Sequence, residues 1–198
     1  MTKILYLTGS PRGERSHSTA LADHLMTQLK GEVTTRDISA DVPFVTGSQI
    51  AYMYGFMKYE DLDLESQKAA DYQRTVVDEI LSHDIVVLAT PMWNLGMPAA
   101  TKAWFDQIIK VGEVWKVDET GAYVGLAKNI REFYIVTTSS GIPMGADHPW
   151  DHLSGHVTAL AYYIGSATVQ HFSVNTPSAG GETLMIEAKA KIDAHFVV

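Results

Sequence analysis

Short, almost wholly apolar runs recur along the chain, and each is closed by Gly, Ser, Thr or Pro. Runs of this kind are typical of strands that are buried on both faces of a sheet. They predict strands at residues 4–7, 85–89 and 133–136 and, more weakly, at 168–174. Between them, the stretch 21–29 carries apolar residues at i, i+4, i+5 and i+8, and the stretch 69–80 carries them every three or four positions, which predicts helices.

Three further segments carry their own patterns. Residues 47–59 are rich in Tyr, Met and Phe and are predicted to be helical. The acidic run 60–65 is predicted to be a solvated helix start, because carboxylates favour the first turn. Residues 114–117 and 123–126 flank a turn that contains Gly121, which predicts a hairpin.

Strands that alternate with helices indicate an α/β fold with a doubly wound parallel sheet. Ligands of such sheets bind beyond the carboxyl ends of the strands, so the loop after each strand is the place to look. We find no internal repeat or linker, and 198 residues are expected to form a single domain, 1–198.

Composition excludes several functions. The chain has 15 Lys and Arg against 23 Asp and Glu, a net charge of −8, so nucleic acid is not an expected partner. The absence of cysteine excludes disulfides, thiolate metal sites and cysteine nucleophiles, in agreement with a reducing compartment. The apolar start of the chain is too short for a signal peptide or a membrane span, so we expect a soluble, cytoplasmic protein with no membrane partner.

The first strand is followed by a loop, residues 9–18, that leads into a helix near Ser18. Hydroxyls and free N–H groups at a helix start favour a phosphate. The loop lacks both the Lys-Ser/Thr of a P-loop and the Gly-x-Gly-x-x-Gly of dinucleotide sites. It therefore predicts a mononucleotide monophosphate site, and the alternative is that Ser16 and Ser18 only cap the helix.

Two more loops follow buried strands. Residues 90–98 are bounded by proline, apolar and aromatic, which suits a flat ring with polar edges; the alternative is that Met92 and Trp93 belong to the core. Residues 137–145 combine hydroxyls, Gly and Pro, and taken alone they also fit an ordinary turn. Three such loops on one rim are the stronger argument for a ligand site.

In the order of its loops and elements the chain resembles, over nearly its full length, the flavodoxin-like FMN-dependent azoreductases, also described as NAD(P)H:quinone oxidoreductases. Residues 91–95, Pro-Met-Trp-Asn-Leu, match the family's Pro-Met-Tyr/Trp-Asn-Phe/Leu motif. The resemblance implies a flavodoxin-like, doubly wound parallel sheet of five strands with helices on both faces. It also implies FMN as the cofactor, NADH or NADPH as the donor, and a quinone, azo compound or similar flat aromatic acceptor.

The same resemblance implies two-electron, ping-pong hydride transfer through FMN N5, with no catalytic side chain. It places the FMN phosphate at Ser10, Ser16, His17 and Ser18, the isoalloxazine at Pro91, Met92, Trp93, Asn94 and Leu95, and the pyrimidine edge at Ser139, Ser140 and Gly141. The main-chain N–H groups of Asn94 and Leu95 are the candidates to contact N5 and O4.

The chain departs from the family at residues 138–141, which read Thr-Ser-Ser-Gly where the family usually has Ser-Arg-Gly-Gly. If the backbone needs a left-handed conformation at Ser140, that residue costs roughly 1–2 kcal/mol. Family members are homodimers with flavin sites at the interface, which implies a role across the dimer for the aromatic segment 52–59 and for Trp115.

Other chemistries have weaker support. His148, His152 and His156 recur every four residues, as in some metal sites, but Pro149 is expected to mark the first helical turn and to leave His148 outside the helix. No metal site is therefore predicted. A serine hydrolase would need Gly-x-Ser-x-Gly, which does not occur. The remaining alternative is an electron-carrier flavodoxin or flavin-binding module, although flavodoxins have a Thr-rich phosphate loop unlike residues 9–18.

Overall fold

The computed structural model describes residues 1–145, 147–176 and 180–197. In chain order the elements are β1 (Lys3–Thr8), α1 (His17–Met26), β2 (Glu32–Asp37), α2 (Gly47–Met53), α3 (Leu64–Ser82), β3 (Ile85–Pro91), α4 (Ala99–Ile108), β4 (Trp115–Val117), β5 (Tyr123–Gly125), β6 (Glu132–Ser139), α5 (Ser154–Ile164), β7 (Thr168–Asn175) and α6 (Gly181–Phe196). In the part of the chain that the structure describes, no helix is both long and apolar enough to cross a bilayer.

The main sheet has five parallel strands in the order β2-β1-β3-β6-β7. The chain builds outward from β1 to β2 on one side and then from β3 to β7 on the other. The strand order therefore reverses between β1 and β3, and the loops that follow these two strands diverge there and open a crevice. The predicted parallel, doubly wound α/β fold and its four predicted strands are confirmed.

The fifth strand, β2, is the one that the apolar pattern missed. It lies at an edge of the sheet, its sequence is Glu-Val-Thr-Thr-Arg-Asp, and its side chains are exposed or half-buried. Edge strands carry charged residues of this kind because they must not pair with other chains. Only a strand covered on both faces leaves the continuous apolar run that is visible in a sequence.

Alternate side chains of β1 enter two different cores. Leu5 and Leu7 pack with residues of α3, α4 and α5 on one face of the sheet. Ile4 and Tyr6 pack with residues of α1 and α6 on the other face. This confirms the prediction of helices on both faces, and it explains why β1 is apolar at consecutive positions.

The remaining predictions concern the aromatic segment, the acidic run and the hairpin. The aromatic segment, predicted to be helical over residues 47–59, is helical only over Gly47–Met53, because Gly55 turns into the left-handed region, with φ 74°. In the acidic run, Asp63 caps α3 by accepting a hydrogen bond from Ser66 N, whereas Glu60 and Asp61 belong to a preceding 3₁₀ turn. The hairpin is present as β4 and β5.

Candidate functional site

A cleft opens at the carboxyl ends of the central strands, and the three predicted loops meet there. Its volume is about 390 Å³, within the range of small-molecule sites. The residues that line it are Ser10, Pro11, Arg12, Ser16 and His17 after β1, Pro91, Met92 and Trp93 at the end of β3, Thr138, Ser139 and Ser140 at the end of β6, and Thr176 after β7.

The first side of the cleft is the start of α1. Ser16 is the N-cap residue, and its hydroxyl accepts a hydrogen bond from Thr19 N at 3.3 Å. The next two N–H groups, of His17 and Ser18, have no partner within the helix and none among the residues that the structure describes. Together with the positive end of the helix dipole, these two donors favour an anion.

The four predicted phosphate residues are not equivalent. Ser10, Ser16 and His17 line the cleft, and Ser18 does not. The Ser18 side chain is 0% exposed, and its hydroxyl lies 2.9 Å from that of Ser16. The Ser18 hydroxyl therefore supports the cap, and only its main-chain N–H is free to contact a ligand. The cap and the two N–H donors that have no partner among the described residues thus occur together at this helix start.

Thr176 joins two sides of the cleft. Its hydroxyl donates to the carbonyl oxygen of Ser139 at 3.1 Å and lies 2.9 Å from Nδ1 of His17, and its N–H donates to the same Ser139 oxygen at 2.8 Å. Sequence reasoning missed Thr176, although it stands directly after β7. The rule that directed attention to the loops after the other strands applies equally to this one.

The second loop contains a tight turn over residues 93–96. Trp93 and Gly96 exchange two main-chain hydrogen bonds, of 2.9 and 3.0 Å, across Asn94 and Leu95, whose φ angles are 47° and 71°. Two successive left-handed residues define a type I′ turn. Asparagine adopts this conformation readily, whereas leucine pays about 1–2 kcal/mol.

The N–H groups of Asn94 and Leu95 donate to no residue that the structure describes. Neither Asn94 nor Leu95 is among the residues that line the cleft, and their turn begins at Trp93, which does line it. Trp93 lines the cleft and is 54% exposed, so it is not a core residue. Met92 both lines the cleft and packs on the core, and its N–H donates to Thr138 O at 2.7 Å.

The third loop uses several of its donors internally. The Ser139 hydroxyl donates to Ile142 O, and Gly141 N donates to Oδ1 of Asn175 at 2.7 Å. The left-handed residue is Gly141, with φ 86°, so the cost expected at Ser140 does not arise. Ser139 and Ser140 line the cleft, whereas Gly141 does not, and its N–H donates to Asn175.

A buried carboxylate organises the segment between β6 and α5. Asp151 is 6% exposed and accepts hydrogen bonds from Gly145 N at 2.7 Å, Leu153 N at 3.0 Å, Ser154 N at 2.8 Å and Ser154 Oγ at 2.6 Å. Burial alone would raise the pKa of the Asp151 carboxyl, but these hydrogen bonds hold the pKa below its usual value. The carboxylate is therefore ionised at neutral pH and holds both ends of the segment.

The three histidines do not share a helix face. Because α5 begins at Ser154, His148 and His152 both precede the helix and only His156 lies within it. The expectation that Pro149 marks the first turn is wrong; the helix starts where the Asp151 carboxylate accepts the N–H groups of Leu153 and Ser154. Among residues 1–145, 147–176 and 180–197, no group of three His, Cys, Asp or Glu is arranged to hold a metal ion.

Comparison with known proteins agrees with this fold. A family model described as a flavodoxin-like fold matches residues 2–196. The chain is 33% identical, over 98% of its length and 98% of the relative, to an FMN-dependent NADH:quinone oxidoreductase of Shewanella frigidimarina. It is 31% identical, over 98% of its length and 95% of the relative, to FMN-dependent NADH:quinone oxidoreductase 1 of Hahella chejuensis.

Among solved structures, the fold matches an FMN-dependent NADH-azoreductase from Bacillus anthracis in complex with FMN. The TM-score is 0.83, the identity is 18%, and the match covers 98% of each chain.

Proposed function

The chain belongs to the flavodoxin-like family of FMN-dependent NADH:quinone oxidoreductases, and from this membership we propose that it is an FMN-dependent NAD(P)H oxidoreductase that reduces quinones and azo compounds. The names of the relatives make NADH the expected donor. The structural observation that supports it most is a pair of N–H groups on each of two loops, His17 with Ser18 and Asn94 with Leu95, which donate to none of the residues that the structure describes.

The residues of the cleft suit FMN. The start of α1 offers donors and a positive dipole to the phosphate, and the exposed guanidinium of Arg12 lines the same cleft. Pro91, Met92 and Trp93 offer an apolar and aromatic surface to the ring system. When bound, FMN would supply the redox chemistry, which is to accept hydride and to pass two electrons to the acceptor.

The contribution of the chain is to bind and orient. We propose that the main-chain N–H groups of Asn94 and Leu95, rather than their side chains, meet the N5 and O4 edge of the ring. At the pyrimidine edge the proposed contacts are Ser139 and Ser140, since the N–H of Gly141 is already engaged. No acid–base pair of side chains is required, because the chemistry belongs to the cofactor.

We further propose that two copies associate, with FMN sites at their interface, in the cytoplasm. Exposed aromatic residues support an interface: Tyr54 is 53% exposed, Phe56 85% and Tyr123 67%. Trp115 packs against Tyr123 with ring centroids 5.3 Å apart, which joins the hairpin to this surface. Sedimentation of the FMN-loaded protein tests the stoichiometry.

FMN titration into the apoprotein, followed by dialysis, tests the proposed function. We expect a yellow protein that oxidises NADH with a quinone or azo acceptor and shows ping-pong kinetics. A protein that stays colourless and inactive would refute the proposal. Bound flavin that takes up single electrons in two resolved steps, without turnover of NADH, would instead identify an electron carrier.

A further inference from the structure

The turn over residues 93–96 receives a hydrogen bond from a distant part of the chain. The carbonyl oxygen of Leu95 accepts from the N–H of His152 at 3.0 Å. A leucine in the left-handed region persists only where its surroundings over-determine the conformation. The position of the His152 N–H is therefore one of the constraints that keep Leu95 left-handed.

The main chain at His152 is held on both sides. The residue before it is Asp151, whose buried carboxylate is bonded to the N–H of Gly145 and to Ser154. The residue after it is Leu153, which is 0% exposed, packs in the core and donates its own N–H to Asp151. Because Asp151 is fixed through its own carboxylate and Leu153 donates to that carboxylate, the N–H of His152 between them keeps its direction toward Leu95.

We infer that Asp151 is a positioning residue for the cofactor, which acts through His152 on the backbone of Leu95. This inference rests on the proposed function, in which the N–H groups of Asn94 and Leu95 meet the ring. Asp151 does not line the cleft, so its effect on FMN is indirect and depends on the main-chain hydrogen bond between His152 and Leu95.

The direction of the Leu95 N–H is what the constraint protects. That N–H belongs to the peptide between Asn94 and Leu95, and a relaxation of Leu95 to negative φ rotates this peptide. A rotated peptide no longer presents the N–H to the same point. An Asn-Gly pair is the preferred sequence of a type I′ turn and holds the conformation without outside help. Leu95→Gly should therefore make the turn independent of Asp151.

Asp151→Asn is the perturbation, because it keeps the shape of the side chain while an amide nitrogen replaces one accepting oxygen. Asp63→Asn is the matched control: Asp63 also caps a helix, accepting from Ser66 N at 2.7 Å, and lies outside the cleft. The first readout, amide exchange of His152 in the FMN-free protein, needs no cofactor. The second is the Kd for FMN from fluorescence quenching.

We expect Asp151→Asn to speed the exchange of the His152 amide at least tenfold beyond any change in global stability and to weaken FMN binding at least fivefold. Asp63→Asn should do neither. In the Leu95→Gly background, Asp151→Asn should change the Kd by less than twofold. An equal loss of FMN affinity with and without Leu95→Gly would show that Asp151 is only structural, and so would unchanged exchange at His152.

The two proposals fail separately. A wild-type protein that does not bind FMN refutes the proposed function and the cofactor role of Asp151 with it, whereas wild-type binding that Asp151→Asn leaves unchanged refutes only this inference. If Asp151→Asn does not fold, Ser154→Ala removes one of the four donors, and the same comparisons apply with a smaller expected effect.

Discussion

Replacing Thr176 with valine removes the hydroxyl that joins two loops of the cleft and keeps the shape of the side chain. Each hydrogen bond contributes about 0.5–1.5 kcal/mol net. Both bonds of the Thr176 hydroxyl, to His17 and to Ser139, fall at the low end of that range. His17 is exposed, so water can replace the lost hydroxyl, and the Ser139 oxygen still accepts a hydrogen bond from the N–H of residue 176 at 2.8 Å. We expect the free energy of unfolding to fall by about 1 kcal/mol. FMN binding loses up to the same free energy where it has to restore the loop positions that the hydroxyl held, which weakens the Kd for FMN by up to roughly fivefold.

The assay is fluorescence titration of FMN with the apoproteins, together with urea unfolding of each variant. Thr176→Ser keeps the hydroxyl and should bind FMN as the wild type does. Thr34→Val is the matched control, because the Thr34 hydroxyl lies 2.9 Å from Nε2 of His83, on the edge strand and away from the cleft. It should lower stability by a similar amount and leave the Kd unchanged.

Two results would refute the reasoning. If Thr176→Val binds FMN with wild-type affinity, the link between His17 and Ser139 has no bearing on the cofactor. If Thr34→Val weakens FMN as much as Thr176→Val does, the effect reflects general stability and not the position of the two loops.

Three further predictions follow from other parts of the structure. A Cβ at Gly125 would lie 2.4 Å from the main-chain nitrogen of Gly165, so Gly125→Ala should lower the free energy of unfolding by about 1–3 kcal/mol in urea, whereas Gly47→Ala, with open space around it, should not. Burial lowers the pKa of His171 to about 4 from an ordinary 6.5, so on acidification the unfolded chain binds the proton before the folded protein does. The free energy of unfolding should therefore fall as the pH drops from about 6.5 to 4, by up to ~1.4 kcal/mol per pH unit. His171→Gln should abolish this part of the dependence when the free energy of unfolding is measured against pH. Trp93→Ala should change stability by less than about 0.5 kcal/mol, because the side chain is largely exposed, yet weaken FMN binding several-fold in the titration.

The sheet and the cleft were predictable because each rests on a local pattern. A strand covered on both faces must be apolar at consecutive positions, as β1 and β3 are, and the ligand loops of a parallel sheet must follow its strands. The edge strand β2 escaped because exposure removes that apolar pattern. The position of Thr176 directly after β7 was open to the same strand-end rule, but its two partners, His17 and Ser139, are remote in the chain, so its role could not be predicted.

The turn at Asn94 and Leu95 shows a further limit of sequence reasoning. Asparagine is compatible with the left-handed region, but leucine argues against it, so local propensity alone would not place a type I′ turn here. The constraint comes from His152, more than fifty residues later in the chain, and behind it from the buried Asp151. Neither residue belongs to a motif that marks such a role.

A cleft built on main-chain donors also accounts for the departure from the family pattern at residues 138–141. The left-handed position falls on Gly141, which the chain retains, and the Ser139 hydroxyl closes the loop on Ile142. The replacement of Arg-Gly by Ser-Ser therefore changes side chains and leaves the backbone path unstrained. Because the proposed contacts at the N5 and O4 edge come from main-chain N–H groups, their geometry depends on turns and on the residues that hold them. Substitutions at Asp151 or Thr176, outside the motif, should then affect FMN binding more than conservative changes of the side chain at Leu95.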